Sequence, residues 1–253
     1  AVSDNDAQTV SKIAPSGTVT ILAGSASRHG YADGADAAVR FCRPTGIAVD
    51  RQKNVFVTDN FTHVIRKVTP DGVVTTLAGR AWTSGGDDGK GGKARLNWPA
   101  GSVADRAGNV YVADAGNHTI RKIASDGTVT TLAGSAGNSG SADGAGSKAR
   151  FTSPSGVALD SAGNVIVADG GNHLVRKVTP QGAVTTLAGS AGKPGSADGA
   201  GGTARFNRPT GVAVDTLDHI YIADTGNHVV RKMIPGGVVT TLSGSAGMKG
   251  CAD

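Results

Sequence analysis

Four histidines, His63, His118, His173 and His228, stand 55 residues apart, and each has an aspartate four residues before it: Asp59, Asp114, Asp169 and Asp224. Such residue types could bind a metal or move a proton. Zinc needs three or four ligands at roughly 2.0–2.3 Å from one ion. Residues that occur once per repeat are spread over the repeats, so the spacing predicts structural hydrogen bonding of each histidine within its own unit. The aspartates then read as turn caps or histidine partners. A second acidic row, Asp33, Asp88, Asp143 and Asp198, precedes glycine in the long links. Calcium takes six to eight oxygens, usually from several carboxylates. One aspartate per link is too few, and turn formation is the expectation; Asp87–Asp88 is the one paired case among these links. No Ser-His-Asp set, H-E-x-x-H or P-loop is present. Repeat-equivalent residues do not by themselves make the asymmetric constellation that catalysis requires, so a site is sought where the copies differ.

They differ most in the first full copy. Asn60-Phe61-Thr62 stands where later copies have Gly-Asn before the histidine, and Arg80-Ala81-Trp82 replaces Ser-Ala-Gly. Trp98 in the second copy matches Arg43, Ser153 and Arg208 elsewhere. Phe61 and Trp82, with Arg43, Trp98 and Arg208 at the starts of first strands, form the expected contact surface, suited to a carbohydrate or a protein. Two further basic rows, Arg40/Arg95/Arg150/Arg205 and Arg66/Arg121/Arg176/Arg231, are expected to make ion pairs or stacking contacts between units.

These residues are positioned by one repeated text, seen cleanly from Arg150 to Gly189 and beginning again at Arg40, Arg95 and Arg205; Ser11 to Gly24 is a partial copy. A fixed period of this length marks a solenoid, propeller or array. Each copy holds four short β-branched runs separated by Ala-Gly-Asn, Gly-Asn-His and Pro-Asp-Gly or Pro-Gln-Gly turns. Four antiparallel strands repeated at this spacing are a propeller blade. The pattern predicts an all-β chain of about five four-stranded blades, one of them incomplete: a partial blade with its linker over 1–39, then 40–94, 95–149, 150–204 and 205–253. In such a blade the Gly-Asn-His turns and the long links share one face, where loops gather and ligands bind. The chain opens inside a second strand and stops before the next first strand, so a fragment of a longer propeller or an incomplete ring is expected.

The segment Val-Ala-Asp-x-Gly-Asn-His-x-Ile/Val-Arg-Lys resembles the NHL repeat. Asn117–His118 with Ile120, Asn172–His173 with Val175, and Asn227–His228 with Val230 match it, whereas the first full copy has Thr62–His63. The resemblance implies a β-propeller, and the Gly-Ser-Ala-Gly links are similar to those of bacterial, exported members. The family includes amidating lyases as well as RNA- and protein-binding modules, so fold does not fix function.

The expected function is a non-enzymatic scaffold or binding module for a protein or glycan, or a subunit of a larger assembly, located outside the cell or in the periplasm and needing no cofactor. The alternatives are a propeller enzyme resembling the amidating lyases, with a metal in its channel, and RNA binding by a basic face. The net charge of +5 is distributed over repeat positions without a Lys/Arg block. Aromatics make up 4% of the chain, few for the base stacking that RNA recognition uses. No apolar run is long enough to span a membrane as a helix. Cys42 and Cys251 are the only cysteines; neither belongs to a C-x-x-C motif. A disulfide between them and two free thiols both remain open.

Overall fold

The computed structural model describes residues 1–26 and 28–250. Its regular structure is β-strand with single 3-10 turns. The first sheet is β1 (Val2–Asp4), β2 (Thr9–Ile13) and β3 (Val19–Gly24). The second is β4 (Pro44–Val49), β5 (Val55–Asp59), β6 (Val64–Val68) and β7 (Val74–Ala78). The third comprises β8 (Gly89–Lys90), β9 (Pro99–Ala104), β10 (Val110–Asp114), β11 (Thr119–Ile123) and β12 (Thr128–Gly134). The fourth comprises β13 (Gly144–Ala145), β14 (Pro154–Leu159), β15 (Val165–Asp169), β16 (Leu174–Val178) and β17 (Ala183–Gly189). The fifth comprises β18 (Gly199–Ala200), β19 (Gly211–Val214), β20 (Ile220–Asp224), β21 (Val229–Met233) and β22 (Val238–Ser243).

These five small antiparallel sheets are of the propeller-blade type expected from the repeat. The last three each contain one strand more than the expected four. Their pairing orders are β8-β12-β11-β10-β9, β13-β17-β16-β15-β14 and β18-β22-β21-β20-β19. The addition comes from the link before the blade, which folds back and pairs two residues with the fourth strand: Gly144 opposite Val184 and Ala145 opposite Ala183. The second blade makes the same contact as a single bridge, Gly34 to Val74. The added pairing occupies edge hydrogen-bonding groups that an open strand would expose.

The chain divides into two compact units, Ala1–Asn117 with Arg121–Thr131, and His118–Ile120 with Leu132–Asp253. In the first unit, Val10 and Ala23 of the first sheet pack on Val55, Val57, Val68 and Val74 of the second. The opposite face of the second sheet, with Phe56, Ile65 and Ala78, packs on Leu96, Val110, Val112, Ile123 and Val129. In the second unit Ile166, Val175 and Ala188 pack on Phe206, Ile220, Ile222, Met233 and Val239. Strand alternation supplies each sheet with two apolar faces, one per neighbour. Ile13 and Val19 remain 51% and 62% exposed while their repeat mates Val68 and Val74 are fully buried, because no sheet of the first unit packs on that face.

Each sheet from the second to the fifth is pinned by a buried arginine. Arg176 Nη1 donates to Asp169 Oδ2 at 2.9 Å and to the Arg150 carbonyl at 3.1 Å. Its Nη2 donates to Asp143 Oδ1 at 2.7 Å and to the Ala142 carbonyl at 3.0 Å. Asp143 in turn accepts from the Thr186 N–H and hydroxyl on the fourth strand. Arg66, Arg121 and Arg231 repeat the arrangement with Asp59/Asp33, Asp114/Asp88 and Asp224/Asp198. Arg66, Arg176 and Arg231 also lie over Phe41, Phe151 and Phe206 at 5.2–5.4 Å. The expected contacts between units are therefore contacts within a blade, between third strand, second strand and incoming link. The linker aspartates are structural ligands of arginine, and a buried guanidinium needs such partners to offset its desolvation. Arg95, Arg150 and Arg205 form no ion pair among the described residues; Arg95 Nη1 donates to the carbonyls of Gly92 and Ala94, clamping its own link.

Candidate binding site

The turn between second and third strands in the second sheet is a single 3-10 turn, Asn60–Thr62, followed by His63 with φ +62°. Histidine tolerates this left-handed region better than most side chains. The conformation aims its ring at the next sheet, where Nδ1 accepts the Trp98 N–H at 3.1 Å. His118 does the same for the Ser153 N–H and His173 for the Arg208 N–H. His63 thus ties the second sheet to the third and His173 the fourth to the fifth, which corrects the expectation of bonding within one blade. In the first sheet Gln8, one period before His63, replaces the imidazole, and its Oε1 accepts the Arg43 N–H at 2.8 Å. Burial pushes the His63 imidazole below its ordinary value, which keeps the Nδ1 lone pair available.

The aspartates partner arginine, and Asp114, Asp169 and Asp224 also partner asparagine; none of the four partners histidine among the described residues. Asp114 accepts the Asn97 N–H, the Asn117 amide and Arg121. Burial pushes the carboxyls of Asp59, Asp114 and Asp169 up to about 6, against the pull of these donors. At Asp143 and Asp198 burial also acts upward, but the strand N–H and the guanidinium outweigh it and hold both below the usual carboxylate range. Among the described residues no group of three or more His, Cys, Asp or Glu is placed to hold a metal.

Three aromatic rings gather on this frame. Phe61 meets Trp82 edge to face at 6.1 Å and Trp98 at 5.2 Å; Trp98 meets His63 at 5.5 Å. All three of Phe61, Trp82 and Trp98 are exposed, Trp82 most at 55%. Backbone hydrogen bonds set each ring. The Phe61 N–H donates to the Cys42 carbonyl and the Trp82 N–H to the Thr62 carbonyl. Trp98 hangs from His63, as described. Trp82 sits in a tight turn closed by the Thr83 N–H on the Arg80 carbonyl.

Two of these rings stand where the repeat otherwise has glycine. Trp82 has φ +61°, and its counterparts Gly137, Gly192 and Gly247 have φ +77°, +68° and +79°. A left-handed backbone costs a non-glycine residue roughly 1–2 kcal/mol. The counterparts of Phe61 are Gly116, Gly171 and Gly226. A Cβ added there would lie 2.5–2.7 Å from atoms of Asn97, Thr152 and Asn207. At Phe61 the chain has moved out, and its N–H bond to Cys42 is 3.1 Å against 2.7–2.9 Å for the glycines.

Of the residues singled out from sequence, Phe61, Trp82 and Trp98 come together. Arg43 is exposed, and its carbonyl accepts the Asn60 N–H beside Phe61. Arg208 belongs to the second unit, where its N–H donates to His173. Cys42 is buried; Cys251, the other cysteine, lies outside the described residues. The sequence reading missed Gln8, and it noted Arg80 as a departure without placing it in the contact surface. Subtracting one period from His63 finds the first, and the Arg80 counterparts Ser135, Ser190 and Ser245 mark the second as a departure.

Residues 96–123, 151–178 and 206–233 match the NHL repeat. NHL repeat-containing protein 2 of Bos taurus is 30% identical over 250 residues, an alignment covering 85% of this chain and 34% of that protein. The chain spans between 23% and 34% of the length of the curated relatives it matches. Among solved structures it is similar to an auxiliary nutrient binding protein from Bacteroides thetaiotaomicron, with TM-score 0.68 and 19% identity, covering 94% of this chain and 54% of that one. It is also similar to virginiamycin B lyase from Staphylococcus aureus, with TM-score 0.60 and 18% identity, covering 94% and 64%. At these identities the structural likeness establishes the β-propeller fold alone. No helix of the described residues is long and apolar enough to cross a membrane.

Proposed function

We propose that this NHL-repeat chain is a non-enzymatic binding module. It contacts a protein or glycan partner through Phe61, Trp82 and Trp98, with Arg43 beside them. One observation carries the reading: a tryptophan occupies a left-handed position that three sibling links fill with glycine. A conformational cost retained on an exposed ring points to a use for that ring. Exposed aromatic clusters mark interaction sites more than isolated apolar residues do. The histidine and aspartate rows, which could have served an enzyme, are engaged in holding sheets together. Arg208 would contribute only if the partner also reached the second unit.

The reading has support in kind from the similarity to a nutrient binding protein, which also suits an exported, bacterial setting. The lyase similarity leaves an enzyme as the second reading. The test is the double variant Phe61→Ala/Trp82→Ala, compared with the unaltered chain on glycan arrays and by pull-down. Binding that weakens while the thermal melt is preserved is the expected result. Unchanged binding would remove this surface from consideration.

A further inference from the structure

The aromatic site has a chemical bias that narrows its ligand. Asp59, two residues before Phe61, is fully buried against Arg66; the exposed charges in and bonded to the turns that present Trp82 and Phe61 are arginines. Arg80 opens the turn that presents Trp82, and Arg43 is bonded through its carbonyl to the turn that presents Phe61. Both are exposed. Among the described residues neither has a carboxylate within ion-pair distance, whereas the buried arginines have two each. The sibling links have serine at the Arg80 position, so the charge, like the ring of Trp82, is particular to this link.

Three kinds of guest can be weighed. A cationic guest would need space between rings. These rings touch edge to face at 5.2 and 6.1 Å, leaving no cage, and the flanking charge is positive. An extended peptide would bond to free main-chain groups. Here the N–H groups of Asn60, Phe61, His63, Trp82, Thr83 and Trp98 are all spent within the fold. What remains is side-chain chemistry: a broad, fixed indole surface and two guanidinium groups. A pyranose stacks its polarised C–H bonds on the negative face of such a ring, and a guanidinium takes a carboxylate in a two-pronged pair.

We propose that Phe61, Trp82 and Trp98, flanked by Arg43 and Arg80, form a subsite for an acidic glycan, one bearing uronic acid units. The proposal rests on the binding-module reading and adds the ligand class. The rings hold the sugar face, and the arginines select the carboxylate over an uncharged sugar. Rings packed edge to face on one another have less freedom left to lose on binding, which favours affinity.

Both tryptophans of the chain lie in this cluster, so tryptophan emission, excited beyond tyrosine absorption, reports on it alone. The test titrates the full chain with tetragalacturonate and, separately, with a neutral galactan oligomer of equal length. Three sibling-swap variants accompany it: Trp82→Gly, Arg80→Ser and Arg43→Ser. Each installs a residue that the fold already holds at an equivalent position. The acidic oligomer is expected to bind with a fluorescence change and to weaken as salt is raised. Trp82→Gly, followed by calorimetry, is expected to weaken it about tenfold. Each arginine variant is expected to weaken the acidic oligomer several-fold, about 2- to 5-fold, and to leave the neutral one unchanged. Equal binding of both oligomers, with loss in Trp82→Gly, would overturn the acidic preference while leaving the aromatic site standing. Absence of oligomer binding together with binding of a poly-glutamate peptide at the rings would replace the glycan by an acidic peptide. Binding that is indifferent to Trp82→Gly would overturn both this proposal and the site it rests on.

Discussion

The turn at Asn60–His63 and the turn at Gly170–His173 share a skeleton and differ in surface. Both are single 3-10 turns followed by a histidine near φ +60°, and in both Nδ1 accepts an N–H from the start of the next blade. In the second sheet this skeleton displays Phe61, Arg80, Trp82 and Trp98. In the fourth it displays Gly171, Ser190, Gly192 and Arg208. The arginine–aspartate pins beneath are the same in kind. Stability thus resides in the repeated interior, and recognition is sought in what one copy adds to it. A repeat architecture suits this division, because a substitution on one loop leaves the neighbour-to-neighbour packing intact.

The comparison can be broken at its base first. Arg66→Met and Arg176→Met each leave a buried aspartate without its cation, which costs roughly 3–5 kcal/mol. Urea melts should show losses of similar size in the two sheets; a large loss in one and none in the other would refute the equivalence of the skeletons. Next come His63→Ala and His173→Ala. Each removes an exposed hydrogen bond at the start of the following blade, for about 0.5–1.5 kcal/mol. Only His63→Ala should alter tryptophan emission, because only it releases Trp98.

A smaller effect sharpens the contrast at the glycine positions. Gly192→Ala forces a Cβ into a backbone of φ +68° and should destabilise by about 1 kcal/mol. Trp82→Gly relieves the same constraint while giving up the edge-to-face contact with Phe61, worth about 0.5–1.5 kcal/mol. Its melting should therefore move by less than about 1 kcal/mol. The smallest effect is the response to pH. His63 binds its proton less readily in the folded chain than in the unfolded one, so the unfolded state holds more protons just below pH 6.5. The stability from this tie is present above that pH and falls as pH drops through the folded value. Tryptophan emission should shift as pH falls below 6.5, and the same shift in His63→Ala as in the unaltered chain would contradict the role of His63.

The period of 55 residues made the sheets legible, because β-branched runs and turn residues recur in fixed order at Pro154–Leu159, Val165–Asp169, Leu174–Val178 and Ala183–Gly189. It also directed attention to Phe61, Trp82 and Trp98, which break the repeat. Partners lying far away in sequence were not legible. Arg176 reaches Asp143, 33 residues back, and His173 reaches Arg208, 35 residues on. Both distances are fixed by the period, but periodicity gives positions and not which pairs touch. The backbone of Trp82 was hidden for another reason: its glycine siblings signal a left-handed turn, yet tryptophan there reads as an ordinary loop residue until φ is seen.

The central claim is that binding and folding separate at Trp82. Calorimetric titration of an acidic oligosaccharide into the unaltered chain and into Trp82→Gly, with urea melts of both, measures that separation directly. The melts should agree within about 1 kcal/mol while affinity drops about tenfold. Equal affinity in the two chains, or an affinity loss accompanied by an equally large loss of stability, would contradict it.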